Sequence, residues 1–183
     1  GFKWILPFVV LGFFSIIKKG FTKKNGIHLL IFVLGTSAYL KAIEWEYANK
    51  DSKALGELQK RIEETGRKFS LISYSDLVNG IEFHYPNINN GEAHCISIYE
   101  WSGLDRRIIG DCLGYISMQS YLEAEFMASA LVVAQLESKP SDIFFEWMES
   151  LGVLPDTKED TVLAFWSAQV KKAHHWYKYG KQI

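Results

Sequence analysis

Cysteine is nearly missing from this chain: 183 residues hold two, Cys95 and Cys112. Two are too few for a disulfide framework, and their separation fits no zinc-ligand spacing. One disulfide outside the cytoplasm, or two buried thiols inside it, are the alternatives. Also missing are a phosphate-binding glycine loop, a Gly-x-Ser-x-Gly elbow, a His-Glu-x-x-His pair and a Cys-x-x-Cys, which disfavours the common motif-bearing enzyme classes. Internal repeats and low-complexity segments are absent too. Basic residues are scarce in the body of the chain. Residues 69–170 carry four of them (Arg106, Arg107, Lys139, Lys158) against fifteen acidic ones, an excess of eleven negative charges. Phosphate binding needs concentrated Lys and Arg, so nucleic acid is an unsuitable partner for that body.

Charge is missing altogether from two stretches near the start. Residues 4–17, WILPFVVLGFFSII, and 27–40, IHLLIFVLGTSAYL, hold none in fourteen positions each. Fourteen is short of the roughly 20 residues that a perpendicular helix needs to cross the hydrocarbon core. The runs lengthen if Lys3 and Lys41 snorkel to the interface, and neither has the polar face that a soluble amphipathic helix would show. The expectation is a transmembrane helical hairpin over residues 1–45. Trp4 and Trp45 would lie at the membrane interface together with Lys41, and Lys18, Lys19, Lys23 and Lys24 would sit in a basic loop over 18–25. By the positive-inside rule that loop stays on the untranslocated side and the rest of the chain is extracytoplasmic. The membrane would be an inner or cytoplasmic one, or the inner membrane of an organelle.

Residues 46–68 read as a connecting helix that continues the second span, with Leu55, Leu58 and Ile62 as a thin apolar stripe. Residues 69–183 read as an α+β domain. The short runs KFSLISYS, GIEFHY and AHCISIY are parted by Asn79-Gly80 and by PNINNG at 86–91, which predicts a small, three-stranded, mostly antiparallel sheet packed on a helical layer. The layer would be a central helix from about Leu104 or Asp105 to about Glu137, a helix after an N-capping Ser141, and a last one opened by a box at Thr157 to Asp160 and ending near Tyr179.

His84 and His94 fall on the strands flanking the Asn-rich loop and are candidate metal ligands if they face across a hairpin. Cys95, beside His94, should point the other way. Asp105, Arg106 and Arg107 open the central helix, either as an anion site or as a first-turn acid with two arginines pairing to the acidic body. Lys171, Lys172, Trp176 and Tyr177 form a possible surface-contact tail, for an anionic membrane or for the domain's own acidic face. No cofactor is implied.

The sequence thus predicts a membrane-anchored, non-enzymatic protein that acts by protein–protein contact. It would serve as an accessory or assembly subunit of a membrane complex, or as an immunity or exclusion protein. Its partners would be the bilayer and another membrane or extracytoplasmic protein, met through Trp101, Trp147, Trp166 and the acidic body. The alternative is a small enzyme or a ligand- or metal-binding domain with a site near His84, His94 and Arg106.

Overall fold

The helix at Ser52–Arg67 (α1) begins where Asp51 accepts a hydrogen bond from the Ala54 amide through Oδ1. An acidic N-cap satisfies one of the amides that a first turn leaves open. The computed structural model describes residues 44–150 and 154–180. The anticipated hairpin, with Trp4, Lys18, Lys19, Lys23, Lys24 and Lys41, lies outside the described residues. Among those described, no helix is long and apolar enough to cross a membrane. The connecting helix over 46–68 is corrected at its start, because residues 46–50 form bends and turns. Asp111, far along the chain, takes the amides of that stretch, which therefore cannot close helical bonds.

After α1 come β1 (Ile72–Ser73), α2 (Tyr74–Val78), β2 (Glu82–Phe83), β3 (His94–Cys95), α3 (Gly103–Ala124), β4 (Val132–Val133), α4 (Asp142–Ser150) and α5 (Glu159–Tyr179). The α+β class holds. The single three-stranded antiparallel sheet does not. β2 and β3 pair antiparallel as the hairpin pattern required, but β1 leaves them and pairs in parallel with β4. The run 68–75 cannot extend as a strand, because Ser73 caps α2 by accepting from the Asp76 amide at 3.0 Å.

The central helix is also shorter than predicted. It ends at Ala124, and Glu125 adopts a left-handed conformation (φ 57°). The following run turns through a 3-10 segment, Ala128–Leu131, into β4. Buried serines of α3 make that exit possible. Ser120 Oγ donates to the Phe126 carbonyl at 2.8 Å and accepts from the Ala128 amide, while Ser117 Oγ accepts from the Ser129 amide at 3.0 Å. These hydroxyls replace the helical partners that 126–129 give up.

Helix α5 closes the domain over this segment. The Gln169 side-chain oxygen accepts from the Met127 amide at 2.9 Å, and the Trp166 indole donates to the Ala130 carbonyl at 2.8 Å. The box expected at Thr157–Asp160 is absent: Lys158 is the N-cap, and its ammonium has no acceptor with which to cap a first-turn amide, while its own amide donates to Asp156. The main core gathers Leu58, Ile62, Leu77, Phe83, Ile108, Phe126 and Leu131, all fully buried. A second cluster joins Met118, Phe145, Met148 and Leu154 under α4 and α5.

Candidate functional site

The central helix carries two interior glycines one turn apart, Gly110 and Gly114, each costing about 1 kcal/mol of helix propensity relative to alanine. What they face accounts for them. A Cβ on Gly114 would lie 2.8 Å from the Trp45 ring, whereas a Cβ on Gly110 would meet nothing within 4 Å. Gly114 seats Trp45 against the helix. Gly110 leaves open the floor of a groove of about 510 Å³.

Trp45, Trp101 and Trp147 line that groove with Tyr74, Ile109, Leu113 and Phe144. Trp45 meets Tyr115 edge-on with ring centroids 5.7 Å apart, and Tyr74 meets Trp101 edge-on at 6.2 Å. The polar lining is sparse. Ser129 is held by Ser117 at 2.6 Å, and Ser141 lies 3.4 Å from the Tyr74 hydroxyl. Among the described residues Arg106 is the only charged side chain in the lining. Mostly apolar walls with a few polar groups, at this volume, are the usual make-up of a binding pocket.

The segment that brings Trp45 to the groove is fixed by one carboxylate. Asp111 accepts from the amides of Glu46 at 3.1 Å, Tyr47 at 2.8 Å and Ala48 at 2.8 Å. A carboxylate in a concave run of amides satisfies three donors and locks the turn. Trp45, expected at a membrane interface, has its ring packed within the domain.

The histidines are not brought together. His94 stands opposite Phe83 in the β2–β3 register, and Glu82 opposite Cys95, so His84 lies beyond the paired residues. The His84 backbone donates to Asp51 Oδ2 at 2.7 Å, while His94 Nε2 sits 2.7 Å from Asp105 Oδ1. Among the described residues no group of three His, Cys, Asp or Glu is placed to hold a metal, and the His84/His94 pair is not a shared site. Asp105 is a first-turn acid: its Oδ2 accepts from the amide and hydroxyl of Ser102, which caps α3 in return. Burial pushes the Asp105 carboxyl up, but the Ser102 and His94 hydrogen bonds outweigh it and hold the group below its ordinary value.

The two arginines do not pair with the acidic body. Neither forms an ion pair among the described residues. Arg107 reaches the Tyr47 hydroxyl, and Arg106 turns to the groove. Cys95 is exposed and Cys112 buried, both free. Burial, with nearby Asp111 and Asp51, pushes the Cys112 thiol up to about 12 despite a hydrogen bond to Tyr85.

In the tail, Trp176 and Tyr177 turn inward onto Phe126, with Tyr177 edge-on at 5.4 Å. Lys172 Nζ lies 3.3 Å from the Glu125 carbonyl, and Lys171 is exposed. The aromatic half of the anticipated contact tail is thus half-buried and packed against the core. Of the three tryptophans named as a recognition surface, Trp101 and Trp147 line the groove and Trp166 is turned to Ala130. The part played by Trp45, Tyr74 and Asp111 escaped sequence reasoning. The signal that could have found them is the pair of glycines inside the central helix, of which Gly114 makes the close approach.

Comparison with protein-family models, with curated proteins and with solved structures finds no match to this chain.

Proposed function

We propose that this chain is a membrane-anchored, non-enzymatic protein that works by contact, and that the tryptophan-lined groove is its contact surface. The anchoring reading rests on the two uncharged runs at residues 4–17 and 27–40, with their lysine-rich connection. It makes the partner another membrane or extracytoplasmic protein and puts the domain on the extracytoplasmic side of an inner membrane.

The observation that carries the contact reading is the lining itself. Three indoles, a phenol and aliphatic walls form the chemistry of an interface hot spot, where large rings bury area at little entropic cost. Proton transfer or nucleophilic attack draws no support from a lining whose one ionisable group besides Tyr74 is a guanidinium. Ile143, on the rim of the groove, is 70% exposed. Apolar surface that continues past the cavity suits a macromolecular partner.

A photo-crosslinking residue at position 143, in the full chain in its own membranes, tests this. One adduct of defined mass is expected, lost in Gly110→Leu, which fills the groove, and retained in Gly56→Ala, which does not. Absence of any adduct, or an adduct indifferent to Gly110→Leu, rejects the groove as contact surface. Cysteines placed singly at Ser52 and Thr22, in a background lacking Cys95 and Cys112, test the anchoring with an impermeant thiol reagent. Labelling at 52 and not at 22 is expected, and the reverse pattern overturns the topology.

A further inference from the structure

We infer that the groove recognises a bulky apolar side chain that has a carboxylate beside it, offered by a partner protein, with Arg106 as the residue that reads the charge. This rests on the groove being the contact surface and goes on to say what fills it.

The argument begins with the one charge in an apolar lining. Residues 69–170 are acidic by eleven charges, so an arginine there has many possible carboxylate partners. Arg106 takes none of them among the described residues. It follows Asp105, whose oxygens are already occupied by Ser102 and His94. Its guanidinium therefore stands at the groove with five N–H donors and no acceptor. Carboxylates meet that fork in two parallel hydrogen bonds, stronger and more directional than a neutral pair.

The hydroxyls of the lining already have partners. Ser129 is bonded to Ser117, and Ser141 and Tyr74 face each other. A ligand's apolar part is left with the three indoles and Phe144, and its charge with Arg106. A protein segment is chosen over a free amphiphile because Ile143, which lines the groove, is itself largely exposed, so the apolar surface continues onto the rim.

The test uses minimal probes on the full chain in detergent-free nanodiscs, read by the groove tryptophans' fluorescence. N-acetyl-phenylalanine supplies an aromatic side chain with a carboxylate, and N-acetyl-phenylalaninamide is its neutral match. Dodecanoate and dodecanol supply the same contrast on an acyl chain. We expect the acid of the phenylalanine pair to bind about tenfold more tightly than the amide, a difference of about 1.4 kcal/mol. Arg106→Gln should abolish that preference and leave amide binding unchanged. Gly110→Leu should abolish binding of both, and Gly56→Ala of neither.

Equal affinity for acid and amide, with both lost in Gly110→Leu, overturns the charge reading while keeping the groove. Tight dodecanoate binding without binding of the phenylalanine pair overturns the protein segment in favour of a lipid-derived acid. Binding indifferent to Gly110→Leu, or no binding at all, overturns the inference together with the contact reading beneath it.

Discussion

Gly66 and Gly56 lie on the same helix, and the same substitution should have opposite effects at the two. A Cβ added at Gly66 would run into Cδ2 of Tyr177 and stand 3.0 Å from that residue's Cβ and Cγ. Rotating the ring away cannot relieve a contact with the Tyr177 Cβ, so α5 itself would have to move off α1. Overpacking of this kind costs about 1–3 kcal/mol. At Gly56 a Cβ meets nothing within 4 Å. There alanine removes backbone freedom from the unfolded chain and stabilises by about 0.4–1 kcal/mol.

Comparing the two variants largely cancels the helix-propensity gain and isolates the packing cost. Gly66→Ala should therefore unfold about 1–3 kcal/mol more easily than Gly56→Ala. The gap widens a little because a helix's last turn gains less from alanine. For a chain of this length that is about 2–12 °C in midpoint. Urea titration followed by tryptophan fluorescence reads the difference, with m unchanged between variants. A double-mutant cycle locates the cause: in a Tyr177→Ala background the cost of Gly66→Ala should shrink, since the ring atom in closest approach is gone. If Gly66→Ala matches Gly56→Ala within experimental error, the close packing of α5 on α1 is refuted.

Asp111→Ala should destabilise by about 1.5–3 kcal/mol, the range for charge-assisted hydrogen bonds, and the amides of Glu46, Tyr47 and Ala48 should lose hydrogen-exchange protection first. Unchanged protection at those three would contradict their capture by the carboxylate. The folded Asp105 carboxyl sits below its ordinary value of about 3.9. Its contribution is therefore complete above that value and drains away as pH falls through the folded one. Asp105→Asn should be less stable than the native chain at pH 7, and the two should converge on acidification below about pH 4; a constant gap down to pH 2 would exclude the linkage. At pH 8 a thiol reagent should modify one cysteine rapidly, the exposed Cys95. Cys112 should react only on unfolding, because burial keeps its thiol protonated. Two equal fast phases would show that Cys112 is reached by solvent.

What the sequence allowed to be read depended on whether a segment carried a period. The β2–β3 hairpin was legible because Ile81, Phe83 and Tyr85 are buried while Glu82 and His84 are exposed, an alternation that only a half-buried strand imposes. Helix α1 was legible through Leu58 and Ile62, one turn apart and fully buried. The stretch 126–133 is buried throughout, so it has no period, and a buried helix cannot be told from a buried turn and strand by pattern alone. Ser117 and Ser120 decided the matter there, through hydrogen bonds to residues up to twelve positions away.

The groove was illegible for a different reason. Its walls come from residues between 45 and 147, and no local pattern states that they converge. The helix that forms its floor nevertheless contains a cost without a local return. Gly110 and Gly114 each give up about 1 kcal/mol of propensity, and only one of them is repaid by packing, where Gly114 receives Trp45. A Cβ at Gly110 would meet nothing within 4 Å among the described residues. An alanine there would be more stable, so the open space above it is the feature that a partner's side chain would account for.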